Sequence, residues 1–215
     1  MELIWPSIDA LDSYAAALRR SWSPDTLRPE TAIEQLDAID RDPSGFVSSL
    51  VDREAAGDAI PLPDGSFAER LPGFHKWMWD GEFCGSIGLR WAPGTTDLPR
   101  HVLGHIGYSV VPWKRRLGYA TEGLRLLLPE AAAEGLAFVE LTTDPDNIGS
   151  QRVIEANGGV ILDGYEPDEV YGVACKLRYR IHLAPARLSG PGSRRRGHDR
   201  STPSRVPRGR AATDR

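Results

Sequence analysis

The sequence predicts an α/β domain: a mixed, mostly antiparallel central sheet with flanking helices. Three observations predict it. Helical periodicity fills much of the first fifty residues, strand runs joined by tight turns follow to residue 111, and a helix–strand–helix–strand order closes the folded part. No segment repeats, so residues 1–184 read as one domain.

Leu3, Ile4 and Trp5 form a short first strand that Pro6 ends. Ser7 or Asp9 then caps a helix whose apolar set, Leu11, Tyr14, Ala15 and Leu18, recurs at helical spacing. A second helix follows Pro29 with Ile33, Leu36 and Ile39 on one face, and Phe46, Val47, Leu50 and Val51 make a further apolar patch before a Gly/Pro-rich loop at 57–65. Residues 75–79 and 83–91 flank Asp80-Gly81, a hairpin signal, and 102–111 read as a third antiparallel strand. Ala120, Leu124, Leu127, Leu128 and Ala131 form the buried stripe of an amphipathic helix, which Pro129 is expected to bend or shorten. Residues 137–142 are a strand, and a short helix from 148 to 157 stops at Gly158-Gly159. Residues 160–162 and the alternating run 170–183 complete the sheet.

Composition removes several classes. The 215 residues hold two cysteines, Cys84 and Cys175, too few for a disulfide framework and without metal-ligand spacing. No apolar run reaches the roughly 18–20 residues that span a bilayer, and the first residues lack the pattern of a secretion signal, so a cytoplasmic protein is expected. Charge is uneven: residues 185–215 carry nine Arg and two Asp, which leaves 17 basic and 28 acidic residues in 1–184. That last segment has no aromatic residue and too little apolar area to offset its ordering entropy, so it reads as a disordered basic tail. Nucleic-acid contact through its arginines is weighed against a solvated extension, and the extension is preferred because no aromatics interleave for base stacking.

The chemistry lies between His105 and Gly159. Arg115, Gly118 and Ala120 make an R-x-x-G-x-A pattern between a strand and a helix start. Unpaired N–H groups and the positive end of the helix dipole collect anions at such a point, and Gly118 lets the backbone approach closely. Lys114, Arg115 and Arg116 add positive charge there. The pattern is neither a dinucleotide fingerprint nor a P-loop.

GHIGYSVVPWKRRLGYATEGLRLLL, with ELTTDPDNIGSQRVIEANGG following, resembles the GCN5-related N-acetyltransferase (GNAT) superfamily over roughly residues 75–183. The resemblance implies a strand pair that splays to admit the pantetheine arm of acetyl-CoA, with the pyrophosphate at the helix N-terminus. It implies that Tyr108, Ser109 and Val110 meet the pantetheine and the thioester oxygen. Arg115, Arg116, Leu117, Gly118, Tyr119 and Ala120 would hold the pyrophosphate, with Asn147 and Ser150 on the facing helix. The plainer reading of Asn147 is a helix N-cap, and the two roles can coexist.

The tyrosine that many members carry as general acid is replaced by Ile154. His105 is the candidate for proton relay, with an equally weighted alternative as a structural histidine; Tyr108 is the second catalytic candidate, with packing as its plainer role. The tryptophans 5, 22, 77, 79 and 91 could shape an acceptor pocket or simply fill the core, and Glu166, Asp168 and Glu169 could draw in a cationic amine. The expected activity is acetyl transfer from acetyl-CoA to a primary amine of a small-molecule acceptor, against the alternatives of a non-catalytic acyl-CoA sensor or a nucleic-acid binder. No membrane partner is expected, and a homodimer is compatible with the resemblance.

Overall fold

A computed structural model describes residues 1–25, 28–61, 65–99, 101–162 and 176–184. The acidic loop around Glu166, the first part of the 170–183 run, Cys175 and the basic tail all lie outside the described residues.

Two antiparallel sheets form the frame. The first contains β1 (Glu2–Ile4), β2 (Val51–Asp52), β5 (Gly73–Trp79), β6 (Phe83–Arg90) and β7 (Ile106–Val110), ordered β1-β5-β6-β7 with β2 also on β5. The second contains β8 (Phe138–Thr143), β9 (Val160–Leu162) and β10 (Leu177–His182), in the order β8-β10-β9. A small hairpin joins β3 (Ile60–Pro61) to β4 (Phe67–Ala68). The helices are α1 (Ile8–Arg19), α2 (Thr31–Arg41), α3 (Pro43–Ser49), α4 (Tyr119–Ala133) and α5 (Ile148–Glu155).

Alternation along the strands divides the core into two layers. On one face of the first sheet, Trp77 and Phe83 pack against Ala10, Leu11, Tyr14 and Leu18 of α1. Tyr14 stacks on Trp77 with ring centroids 4.7 Å apart and planes 9° from parallel, while Trp22 and Phe83 meet Tyr14 edge-on. On the other face, Met78, Ile87 and Leu89 pack against Leu124, Leu127 and Ala131 of α4. The tryptophans at 22, 77 and 91 are therefore core residues, whereas Trp5 is 44% exposed and leans on Phe74.

Several elements differ from expectation. The 43–49 segment is a helix: the Asp42 side chain accepts the Gly45 N–H at 2.9 Å and Pro43 occupies the first turn, where a missing N–H costs nothing. On α2 it is Ala32 and Ile39 that are buried, while Ile33 is 65% exposed. α4 is not shortened at Pro129 but runs on to Ala133. Leu124, Leu127 and Ala131 are fully buried, while Arg125, whose carbonyl loses its partner at Pro129, has its side chain on the exposed side of the helix. The third strand begins at Ile106 rather than 102, because the chain turns at His105 into a junction with β8.

Replacing Trp77 by Ala removes the ring on which Tyr14 stacks and is expected to lower unfolding free energy by about 3–5 kcal/mol. A urea midpoint equal to that of the wild type would refute this account of the core.

Candidate active site

β7 and β8 start side by side and then part. The His105 N–H donates to the Glu140 carbonyl at 2.8 Å, and the Glu140 N–H donates to His105 Nδ1 at 2.9 Å. Past this point, among the described residues, no backbone hydrogen bond joins the two strands. The imidazole takes the place of a main-chain carbonyl at the last rung. Its other nitrogen lies 2.9 Å from the Thr96 carbonyl, and with Nδ1 accepting, Nε2 must be the donor. Beside the junction, Glu140 is buried and paired with Arg178 and Arg180.

The wedge that opens is lined by one edge of β7. Arg90 N–H bonds to the His105 carbonyl, and Val111 N–H to the Cys84 carbonyl. These two bonds fix the phase of the ladder, so Gly107 and Ser109 pair with β6 while the main-chain groups of Tyr108 and Val110 point into the wedge. Arg115 folds back so that its Nε donates to the Val110 carbonyl at 3.2 Å. At the end of β8, the Thr143 hydroxyl is buried without a hydrogen-bond partner, on the same strand face as the core residues Val139 and Leu141.

Beyond β7 a 3-10 turn, Pro112–Lys114, leads to the start of α4. Arg116 (φ 65°) and Gly118 (φ 82°) both adopt left-handed backbone. For Gly118 a side chain would meet nothing within 4 Å among the described residues, so it is the dihedral and not the space that calls for glycine. The Glu122 N–H is the first to bond back, to Gly118. The N–H groups of Arg116, Gly118, Tyr119, Ala120 and Thr121 have no acceptor among the described residues. Free donors at a helix N-terminus, with the positive end of its dipole, suit an anion.

The facing wall is α5. Asn147 is its N-cap, with Oδ1 accepting the Ser150 N–H at 3.0 Å. Ser150 Oγ lies 2.7 Å from the Tyr108 hydroxyl, so β7 and α5 touch across the wedge through that pair. Burial pushes the Tyr108 phenol up to about 12, with the Ser150 contact working the other way. Ile154, one turn along α5, is fully buried in the core.

Three expectations need correction. His105 is fully buried with both ring nitrogens engaged in holding the two sheets together, so it is not free to carry protons to the wedge. Ser109 faces away from the wedge: its hydroxyl accepts the indole N–H of Trp22 at 3.0 Å and hangs the α1–α2 connection on β7. Lys114 is not mobile charge for an anion, because Asp80 (2.9 Å) and Glu82 (2.8 Å) hold it. Asp80 also receives the Tyr119 hydroxyl; Tyr119 first and then Lys114 hold its carboxyl well below the usual range. Of the remaining candidates, Tyr108 and Val110 lie on β7, Arg115, Arg116, Leu117, Gly118, Tyr119 and Ala120 on the turn into α4 and its first residues, and Asn147 and Ser150 at the start of α5.

A family model described as "Acetyltransferase (GNAT) domain" matches residues 20–160, well over half of the chain, which therefore belongs to the GNAT acetyltransferase family. Among solved structures, the microcin C7 self-immunity acetyltransferase MccE, in complex with acetyl-CoA and AMP, is similar in fold at 11% identity. The match covers 84% of this chain and 91% of that one, with a TM-score of 0.54. The ribosomal L7/L12 alpha-N-protein acetyltransferase RimL, in complex with coenzyme A, matches at 12% identity over 85% and 98% of the two chains, with a TM-score of 0.50. No curated protein matches the sequence.

The junction has a pH signature. Burial, the largest cause, lowers the His105 pKa from the ordinary 6.5, so below that value the unfolded chain binds a proton that the folded chain refuses. His75 acts in the same direction. Stability should thus fall as pH is lowered from 7.5 to 5, seen as a declining urea midpoint. His105→Gln should start lower at pH 7.5 and lose less over the same range; parallel profiles would contradict the assignment.

Proposed function

We propose that the protein is a cytoplasmic N-acetyltransferase that moves the acetyl group of acetyl-CoA to the primary amine of a small-molecule acceptor. The observation that carries this reading is the run of free N–H groups between Arg116 and Thr121, at the start of α4 beside the gap between two sheets. The residues fit the cosubstrate along its length. The amides of Arg116, Leu117, Gly118, Tyr119 and Ala120 receive the pyrophosphate, and the Arg115 and Arg116 side chains add charge beside it. The main-chain groups of Tyr108 and Val110 extend the ladder to the amide-bearing pantetheine, while Asn147 and Ser150 close the other wall. No helix among the described residues is long and apolar enough to cross a membrane.

Acetyl-CoA supplies a thioester carbonyl open to attack by an amine. As the C–N bond forms and the C–S bond breaks, the chain must offer a donor to the developing oxyanion and a proton to the departing thiolate, and the proton shed by the amine nitrogen restores the acid. An inward N–H of β7, from Tyr108 or Val110, serves the first need. The Tyr108 phenol serves the second: it stays protonated near neutrality, it stands in the wedge, and the general-acid tyrosine found elsewhere in the family is here the buried Ile154.

Two variants test this reading. Gly118→Val forces a β-branched residue into left-handed backbone and should weaken acetyl-CoA binding by about tenfold or more in titration calorimetry. Tyr108→Phe keeps the ring and should lower kcat in a thiol-release assay by about 10²–10⁴-fold with little change in KM for acetyl-CoA. Full activity in Tyr108→Phe would end its role as acid.

A further inference from the structure

Helix α1 closes on a motif where glycine is the usual residue, and this chain has a serine there. The Ser21 N–H bonds to the Leu18 carbonyl at 3.0 Å and the Trp22 N–H to the Ala17 carbonyl at 3.2 Å, the two bonds that end a helix around one left-handed residue. Ser21 is that residue, with φ 63°. A side chain makes this conformation costly, whereas glycine adopts it freely. A stiff residue has been kept where a soft one would be more stable.

The neighbours of Ser21 are all attached to the strand and turn of the candidate site. Arg20 lays its guanidinium 3.6 Å from the ring centroid of Trp113, in the turn Pro112–Lys114. Trp22 is buried and donates its indole N–H to Ser109 Oγ at 3.0 Å, and the Ser23 carbonyl lies 3.5 Å from the same hydroxyl. Ser109 stands between Tyr108 and Val110, whose main-chain groups face the wedge. Trp113 stands three residues before Arg116, where the free N–H groups begin. Between these two anchors, at Val111, β7 makes its last bond to β6 among the described residues, and the chain leaves the sheet. Residues 20–23 span that departure from outside.

Acetyl-CoA is a two-ended ligand, with phosphates at one end and the acetyl-bearing arm at the other. Both ends are held together tightly only when their subsites stand at the spacing of the molecule, because the second contact is then intramolecular. Resting on the acetyl-CoA site proposed above, we infer that residues 20–23 are a clip that fixes the phosphate-binding turn relative to the pantetheine edge of β7. Arg20, Trp22 and Ser109 are its positioning residues. Ser21, confined to one small region of backbone space, keeps the step between the two anchors rigid.

The test reads acetyl-CoA affinity by calorimetry, beside thermal unfolding of the full chain. Ser21→Gly relieves the dihedral and should unfold at or above the wild-type temperature, yet bind acetyl-CoA about threefold more weakly, because the step can now swivel. Trp22→Phe/Ser109→Ala removes donor and acceptor together, so that neither is left buried and unpaired, and should weaken acetyl-CoA binding by about tenfold. A role in stability alone would move affinity and unfolding temperature the same way, so the opposed shifts in Ser21→Gly are the mark of positioning. Wild-type affinity in either variant would overturn the inference and leave the acetyl-CoA site standing. A Ser21→Gly protein that is both less stable and weaker in binding would overturn it as well. If the double variant does not fold, Trp113→Leu, which removes the ring under Arg20 and keeps every charge, decides by the same criteria. Wild-type protein that fails to bind acetyl-CoA would instead remove the acetyl-CoA site, and this inference with it.

Discussion

The structure depends on one rung. Glu140 donates its N–H to an imidazole rather than to a carbonyl, and the sheet divides there because a side chain has replaced the main chain. A carbonyl would be followed by the next residue of a continuing strand, whereas an imidazole offers one acceptor and no successor. The ladder stops and the strands are free to part. Burying an imidazole is tolerable when both nitrogens are satisfied, and here Thr96 and Glu140 complete it. The candidate site lies downstream of that rung, along the inward edge of β7 and at the Tyr108–Ser150 contact across the gap.

β7 presents distinct surfaces along one strand. Neighbouring residues point to opposite faces, and alternate residues turn their main-chain groups to opposite edges. The edge bonded to β6 is fixed, and the edge at Tyr108 and Val110 makes no ladder bond to another strand among the described residues.

Much of this was legible in the residues. The hairpin at Asp80-Gly81, the stripe of α4, the Asn147 cap and the glycine stop at 158 are local, short-range devices, and each appears where its pattern stands. The helix start at Tyr119 and its preceding glycine could be read because R-x-x-G-x-A has a physical reason there. The long-range pairings could not be read. Nothing around His105 announces that its ring will meet Glu140, 35 residues away, or that Ser109 will meet Trp22, 87 residues away. Charge misled for the same reason: Lys114 looks like a phosphate ligand in sequence, and its partners sit on a hairpin more than thirty residues earlier. Asp42-Pro43 was a local signal for α3 that the apolar pattern around Phe46 obscured.

The Asp80 carboxylate braces the turn at the start of α4 by holding Tyr119 and Lys114 together. It also places a negative charge behind a group of donors that must attract a negative ligand. Lys114 lies 2.9 Å from Asp80 and 2.8 Å from Glu82, so one positive charge is shared between two carboxylates and offsets their field in part. On the proposed reading the lysine aids anion capture without contacting the anion, by softening the repulsion that the brace would exert on an approaching phosphate.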